Sequence, residues 1–137
     1  MELKLNQLKR FEKQIILKKI GVSGQKRIFS GSALIVGLGG LGCPLLTYLA
    51  ASGIGVVGII DFDKVEISNL NRQILFNEND LGKYKVDRAL KAIKKSNKDI
   101  KIIPFKEKLT SKNINRIFKN FEIICDGSDN FKTRYLI

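Results

Sequence analysis

Ten residues constrain the fold of this chain more than any others: ALIVGLGGLG, from Ala33 to Gly42. Apolar residues run straight into Gly37, Gly39 and Gly42, spaced G-x-G-x-x-G. That pattern ends a buried strand, turns the chain tightly and opens a helix whose first amides lack intrahelical partners. Such amides, with the positive end of the helix dipole behind them, make a seat for a phosphate. Glycines meet the same backbone needs for a dinucleotide that carries hydride and for a triphosphate that will be broken. The turn alone leaves both open.

Periodicity on either side sets the fold class. Helical spacing of Leu8, Phe11 and Ile15 predicts a helix over Gln7–Ile20, stopped at Gly21, and a short helix follows at Gln25–Phe29. Ala33–Val36 is the first strand. The next helix runs from about Leu41 to Ser52, with Pro44 in its first turn and Gly53 as its stop. Val56–Asp61 is the second strand, and Lys83–Ser96 an amphipathic helix with Val86, Leu90 and Ile93 inward. Lys101–Phe105 is a third strand, placed at an edge or a strand end by Pro104. A helix over Ser111–Lys119, capped by Thr110, precedes a fourth strand at Glu122–Cys125, and a last helix starts near Asn130. Strand and helix alternating in this way imply a Rossmann-like α/β domain, 1–137. Its sheet is doubly wound and mostly parallel, with helices on both faces and further helices before it.

Composition excludes several classes. No apolar run approaches the roughly 20 residues of a membrane span, and MELKLNQLKRFEKQ is too charged for a signal peptide. The chain is expected in the cytoplasm, or in the stroma of an organelle, with no membrane partner. Cys43 and Cys125 form no C-x-x-C pair. Cys43 stands where a helix dipole lowers a thiol pKa, but it reads better as a small buried hydrophobe, and Cys125 as strand core. The net charge of +12 comes from 19 lysines and 6 arginines, scattered rather than interleaved with aromatic residues. It reads as a solvated basic face, not a nucleic-acid surface.

Ligands of an open α/β sheet lie beyond the carboxyl ends of its strands. Gly37, Gly39 and Gly40 follow the first strand. Asp61 ends the second, 19 residues after Gly42, where an acid accepts ribose hydroxyls. Beyond it stand Ser68, Asn69 and Arg72, then Lys85, and after the fourth strand Asp126 and Asp129. Each has a bland alternative: a surface lysine, a loop ion pair, a helix cap. Together they suit a triphosphate, because cations neutralise charge moving onto a leaving group and a carboxylate holds the bridging magnesium. A nicotinamide site needs neither.

GLGGLG, DFDKVEISNLNRQ, GKYKV and DGSDNFKTRYLI, together with the opening RFEKQIILKKIGVSGQ, resemble the adenylyltransferases of the ThiF, MoeB and HesA type. These enzymes activate ubiquitin-like sulfur carriers of the molybdopterin-synthase and thiamine pathways and are related to ubiquitin-activating enzymes. The resemblance implies ATP and magnesium as ligands and a sulfur-carrier protein as partner. The carrier's C-terminal glycine carboxylate would attack the α-phosphate and release pyrophosphate. It further implies that Gly40, Asp61 and the run Ser68, Asn69, Leu70, Asn71 and Arg72 contact the nucleotide. Arg72 and Lys85 would stabilise the phosphates, and Asp129, beside Asn130, would be the metal-linked acid. Lys13 stands where the family has an arginine that reaches a neighbouring subunit's ATP, which implies a homodimer. The family's further surface and its zinc-binding C-x-x-C pairs have no counterpart here, so the chain is expected to be the nucleotide-binding half. A non-catalytic nucleotide-binding remnant and a dinucleotide-binding oxidoreductase domain are the alternatives.

Overall fold

The computed structural model describes residues 2–137. Four parallel strands, β1 (Ser32–Val36), β2 (Val56–Ile60), β3 (Lys101–Phe105) and β4 (Ile123–Asp126), form one sheet in the order β3-β2-β1-β4. The central strands, SALIV and VVGII, are apolar along almost their whole length because both faces are covered. The side-chain period of two then divides them between two cores. Ala33, Ile35, Val57 and Ile59 pack against α4 (Gly42–Ser52) and α5 (Lys85–Ser96) through Leu46, Ala50, Val86, Ala89 and Ile93. Leu34, Val36 and Ile60 face the other way, onto Ile117 of α6 (Ile114–Phe118) and onto Phe121. The expected doubly wound parallel sheet is therefore present, entirely parallel and with helices on both faces. A short α7 (Phe131–Arg134) follows β4. No described helix is long and apolar enough to cross a membrane.

Strand limits expected from sequence fall within a residue of those observed, and β3 is an edge strand, as Pro104 requires. The N-terminal arm differs. In place of the helix over Gln7–Ile20 there are α1 (Leu5–Arg10) and α2 (Glu12–Ile15), and the short helix expected at Gln25–Phe29 is the longer α3 (Gly21–Ser30), which Gly21 opens instead of ending the helix before it. Tertiary contacts select a different inward face from the one the apolar residues suggest. Phe11 is buried, its ring edge-on to Phe29 at 5.0 Å between centroids. The Arg10 guanidinium donates to the Ser96 carbonyl at 2.8 Å. The Gln14 amide donates to Gln25 at 2.8 Å and to the Ser52 carbonyl at 3.1 Å. The inward face is therefore that of Arg10, Phe11 and Gln14 and not that of Leu8, Phe11 and Ile15, and Leu8 is left exposed. Thr110 does not cap α6 either: its own amide donates to the Asn113 side chain, and the helix starts three residues later than Ser111. Cys125 is only half-buried because β4 is the other edge strand.

Candidate nucleotide site

The carboxyl ends of β1, β2 and β4 meet in hydrogen bonds beyond the regular ladder. Gly37 donates to the Ile60 carbonyl at 2.9 Å, and Gly127 donates to the Val36 carbonyl at 2.8 Å. Gly37 has φ +89°, the left-handed conformation that turns the chain off the sheet. Gly42 allows the turn to close, since a Cβ there would stand 1.9 Å from the Gly37 carbonyl oxygen. Around this turn lies a cavity of about 530 Å³, a size usual for small-molecule sites.

Asp61 is the hinge of the cavity. It is buried, and its carboxylate accepts the Leu38 amide and the Asp63 amide, each at 2.7 Å. One residue thus pins the glycine turn and the loop after β2. Burial pushes its pKa above the ordinary carboxylate value, against the two amides and Lys85, which favour the charged form.

The loop after β2 is folded back so that the start of α5 reaches the cavity. Val65 donates to the Lys83 carbonyl, Gly82 to the Val65 carbonyl and Lys85 to the Asp63 carbonyl, at 2.9, 2.9 and 3.0 Å. The Lys85 ammonium is consequently buried, 3.6 Å from the Asp63 carboxylate. Arg72 is exposed, and its Nη1 donates to the Ser68 carbonyl at 2.9 Å and the Asn71 side chain at 3.1 Å. Its stem lies over Gly40.

Of the residues singled out from sequence, Gly37, Gly39, Gly40, Asp61, Asn69, Arg72, Lys85, Asp129 and Asn130 line this one cavity. Ser68, Leu70 and Asn71 do not. Ser68 and Asn71 serve Arg72 as acceptors, and Leu70 packs on the core beneath. Lys13 is remote. Its arm is tied to Ser52 and Ser96, the last residues of α4 and α5, and these helices end at the amino ends of the strands, opposite the cavity. Lys13 itself is exposed and, among the described residues, pairs only with Glu12, at 3.8 Å. Cys43 is fully buried and its pKa is pushed up to about 11 by burial, so the helix dipole does not make it a reactive thiol.

Sequence reasoning missed the wall contributed by β3. Glu107, Lys108 and Leu109 line the cavity, as does Phe62 of the loop after β2, with the Lys108 ammonium 5.4 Å from the centroid of the Phe62 ring. Glu107 is gripped by Arg116 through both carboxylate oxygens at 2.9 Å, which holds its pKa below the usual range. The carboxyl-end rule, applied to β1, β2 and β4, would have found Glu107, Lys108 and Leu109 had it also been applied after β3. Gln73, too, lines the cavity, and its buried Oε1 has no hydrogen-bond partner among the described residues. Arg134 lines it from α7.

Asp129 is exposed and its carboxylate takes part in no hydrogen bond or ion pair among the described residues, whereas its neighbours Asp126 and Asn130 are engaged. No group of three or more acidic, histidine or cysteine side chains gathers as a metal cage among the described residues. Magnesium commonly takes one or two carboxylates, with phosphate oxygens and water completing its octahedron. A single free carboxylate beside a phosphate seat fits that habit.

Fold and cavity together define a Rossmann-like α/β protein with an open cavity at the carboxyl ends of its strands. Residues 11–137 match the model of the ThiF family, and the chain belongs to that family. It is 45% identical over 135 residues to "Adenylyltransferase and sulfurtransferase MOCS3" of Dictyostelium discoideum, covering 98% of this chain and 32% of that protein. It is 41% identical over 131 residues to "Sulfur carrier protein adenylyltransferase" of Thermus thermophilus, covering 96% and 48%. The chain spans between about a quarter and a half of the length of the curated relatives it matches. Among solved structures, PaaA superposes with a TM-score of 0.87 at 29% identity, over 98% of this chain and 44% of that one. MccB of E. coli, solved with ATP, gives a TM-score of 0.66 at 32% identity, over 68% and 28%.

Proposed function

We propose that this chain is the nucleotide-binding part of an enzyme that adenylates the C-terminal glycine of a ubiquitin-like sulfur-carrier protein. ATP is consumed and pyrophosphate released. The observation that carries this reading is the convergence of the Gly39–Gly40 turn, Arg72, Lys85 and Asp129 on one cavity. A hydride-transfer site has no use for two cations and a free carboxylate in that arrangement. The names of the relatives and the ATP bound in MccB point the same way.

The chemistry follows from the residues. A carboxylate oxygen of the carrier bonds to the α-phosphorus as the bond from that phosphorus to the bridging oxygen of the β-phosphate breaks. Both reactants are anions, so the site must neutralise charge before they meet. Amides of the turn and of the first residues of α4 receive phosphate oxygens. Asp61 presents its remaining lone pairs to the ribose. Arg72 and the buried Lys85 stabilise charge passing to pyrophosphate, and burial makes the lysine's contribution larger than a surface cation's. Asp129 would hold magnesium, which neutralises phosphate charge. Lys13 sits too far from its own cavity to take part, so any role for it requires a second copy of the chain. The carrier is either of the molybdopterin-synthase or of the thiamine type.

Carrier-dependent exchange of labelled pyrophosphate into ATP tests the reading, in this chain and in a longer protein that carries the remainder of a relative's length. Exchange abolished by Asp129→Ala supports it. Tighter binding of NAD than of Mg–ATP would falsify it. Mg–ATP binding with no exchange in either protein leaves a nucleotide-binding unit without the transfer step.

A further inference from the structure

The segment joining β4 to α7 is held at three points, and Arg134 supplies the least expected of them. Oδ1 of Asp126 accepts the Ser128 amide at 2.9 Å and the Ser128 hydroxyl at 2.6 Å. The Asn130 side chain caps α7 by accepting the Thr133 amide at 2.9 Å. Arg134 then reaches back over this segment. Its Nη2 donates to the Ser128 carbonyl at 3.2 Å, and its Nε lies 4.0 Å from Oδ2 of Asp126. Between these tied residues stands Asp129, whose carboxylate alone in the segment is uncommitted. Arg134 and Asp129 line the same cavity.

We propose that Arg134 is a positioning residue that latches the 126–130 segment so that Asp129 faces the magnesium–nucleotide. This rests on the reading of Asp129 as the metal-linked acid. Arginine suits the task because its planar fork engages a carbonyl and a carboxylate together, which a lysine ammonium does not. The side chain is half exposed, so its ion pair adds little to global stability. What it removes is local freedom. An unlatched segment must be ordered each time the metal binds, and fixing even one residue's backbone corresponds to about a tenfold change in affinity.

The test reads magnesium dependence, not turnover. The full chain is titrated with ATP by calorimetry at a series of free magnesium concentrations, and amide hydrogen exchange is followed across residues 127–130. Arg134→Met is expected to raise the magnesium concentration for half-maximal ATP binding about tenfold. It should leave magnesium-free ATP affinity and the melting curve near wild type, and should speed exchange in the segment. Arg134→Lys should recover part of the loss. Equal weakening of ATP with and without magnesium overturns the latch in favour of a direct phosphate contact, and wild-type behaviour of Arg134→Met overturns it outright. Asp129→Asn separates the two readings. If it shifts the magnesium requirement while Arg134→Met does not, only the latch fails. If it shifts nothing, the metal role of Asp129 fails and the latch with it.

Discussion

The stem of Arg72 lies across Gly40: a Cβ built on that glycine would meet both Cγ and Cδ of the arginine at 3.4 Å. The glycine turn and the cationic loop, 32 residues apart in sequence, are thus one surface. A branched side chain at position 40 has to lift the arginine. Gly40→Val is expected to weaken Mg–ATP binding about tenfold, the scale of one lost charge-assisted contact, with little change in the melting temperature. Calorimetry paired with thermal denaturation checks both halves.

The glycines of the turn separate by what surrounds them. A Cβ on Gly39 meets nothing within 4 Å, although the residue lines the cavity, whereas one on Gly42 collides with the Gly37 carbonyl. Gly39→Ala should fold as wild type and lose nucleotide affinity. Gly42→Ala should be destabilised by roughly 3 kcal/mol or more, since backbone has to move. Urea denaturation distinguishes them.

Asp61 sets a pH dependence of definite sign. Its folded pKa is raised above the ordinary 3.8, so between those two values the native state holds more proton than the unfolded chain. Its contribution to stability therefore falls as pH rises through that window. The stability of wild type relative to Asp61→Asn should decline from acid toward neutral pH in a denaturation series. ATP affinity should change in the opposite direction, because the ionised carboxylate is the better acceptor for ribose hydroxyls.

The two thiols should differ sharply in reactivity. With a pKa of about 11, Cys43 is thiolate in only about one molecule per thousand at pH 8. It is also fully buried. Mass spectrometry after iodoacetamide treatment should show alkylation at half-buried Cys125 first, and at Cys43 only at the rate of unfolding.

Lys13 gives a prediction that depends on two copies. In a longer, exchange-competent protein, Lys13→Ala should lower exchange severalfold if the arm serves a neighbour's phosphates. Mixing Lys13→Ala with Asp129→Ala subunits should then restore activity, because one of the two sites combines an intact Asp129 with an intact Lys13. Unchanged exchange in Lys13→Ala would mark it as a solvated lysine.

The strands were legible because strands buried on both faces must be apolar throughout, and ALIV and VVGII have no other reading. Gly37, Gly39, Gly40, Asp61, Asn69, Arg72, Lys85 and Asp129 followed from the carboxyl-end rule, whereas Phe62, Gln73 and Arg134 of the same cavity did not. Local period failed where distant contacts govern the chain: Arg10, Phe11 and Gln14 answer to Ser96, Phe29, Gln25 and Ser52, none of which a helical window sees. Spacing also did not distinguish Asn69, which lines the cavity, from Ser68 and Asn71, which steady Arg72 from behind. Side-chain direction in an irregular loop is decided by its turns, and the turn at Ile67–Asn69 leaves no periodic trace.

The strand order carries a consequence for the order of folding. Val36 pairs with Ile60, 24 residues onward, but with Asp126 only after 90. The closure entropy of the longer loop is the greater, and the pairing has to wait for β4 to leave the ribosome. β1, β2 and β3 can assemble with α4 and α5 before then, glycine turn included, with no Gly127 or Asp129 to face it. The cavity lined by Gly127, Asp129 and Arg134 is thus completed only with the last pairing of the sheet, after the rest of its wall is already in place.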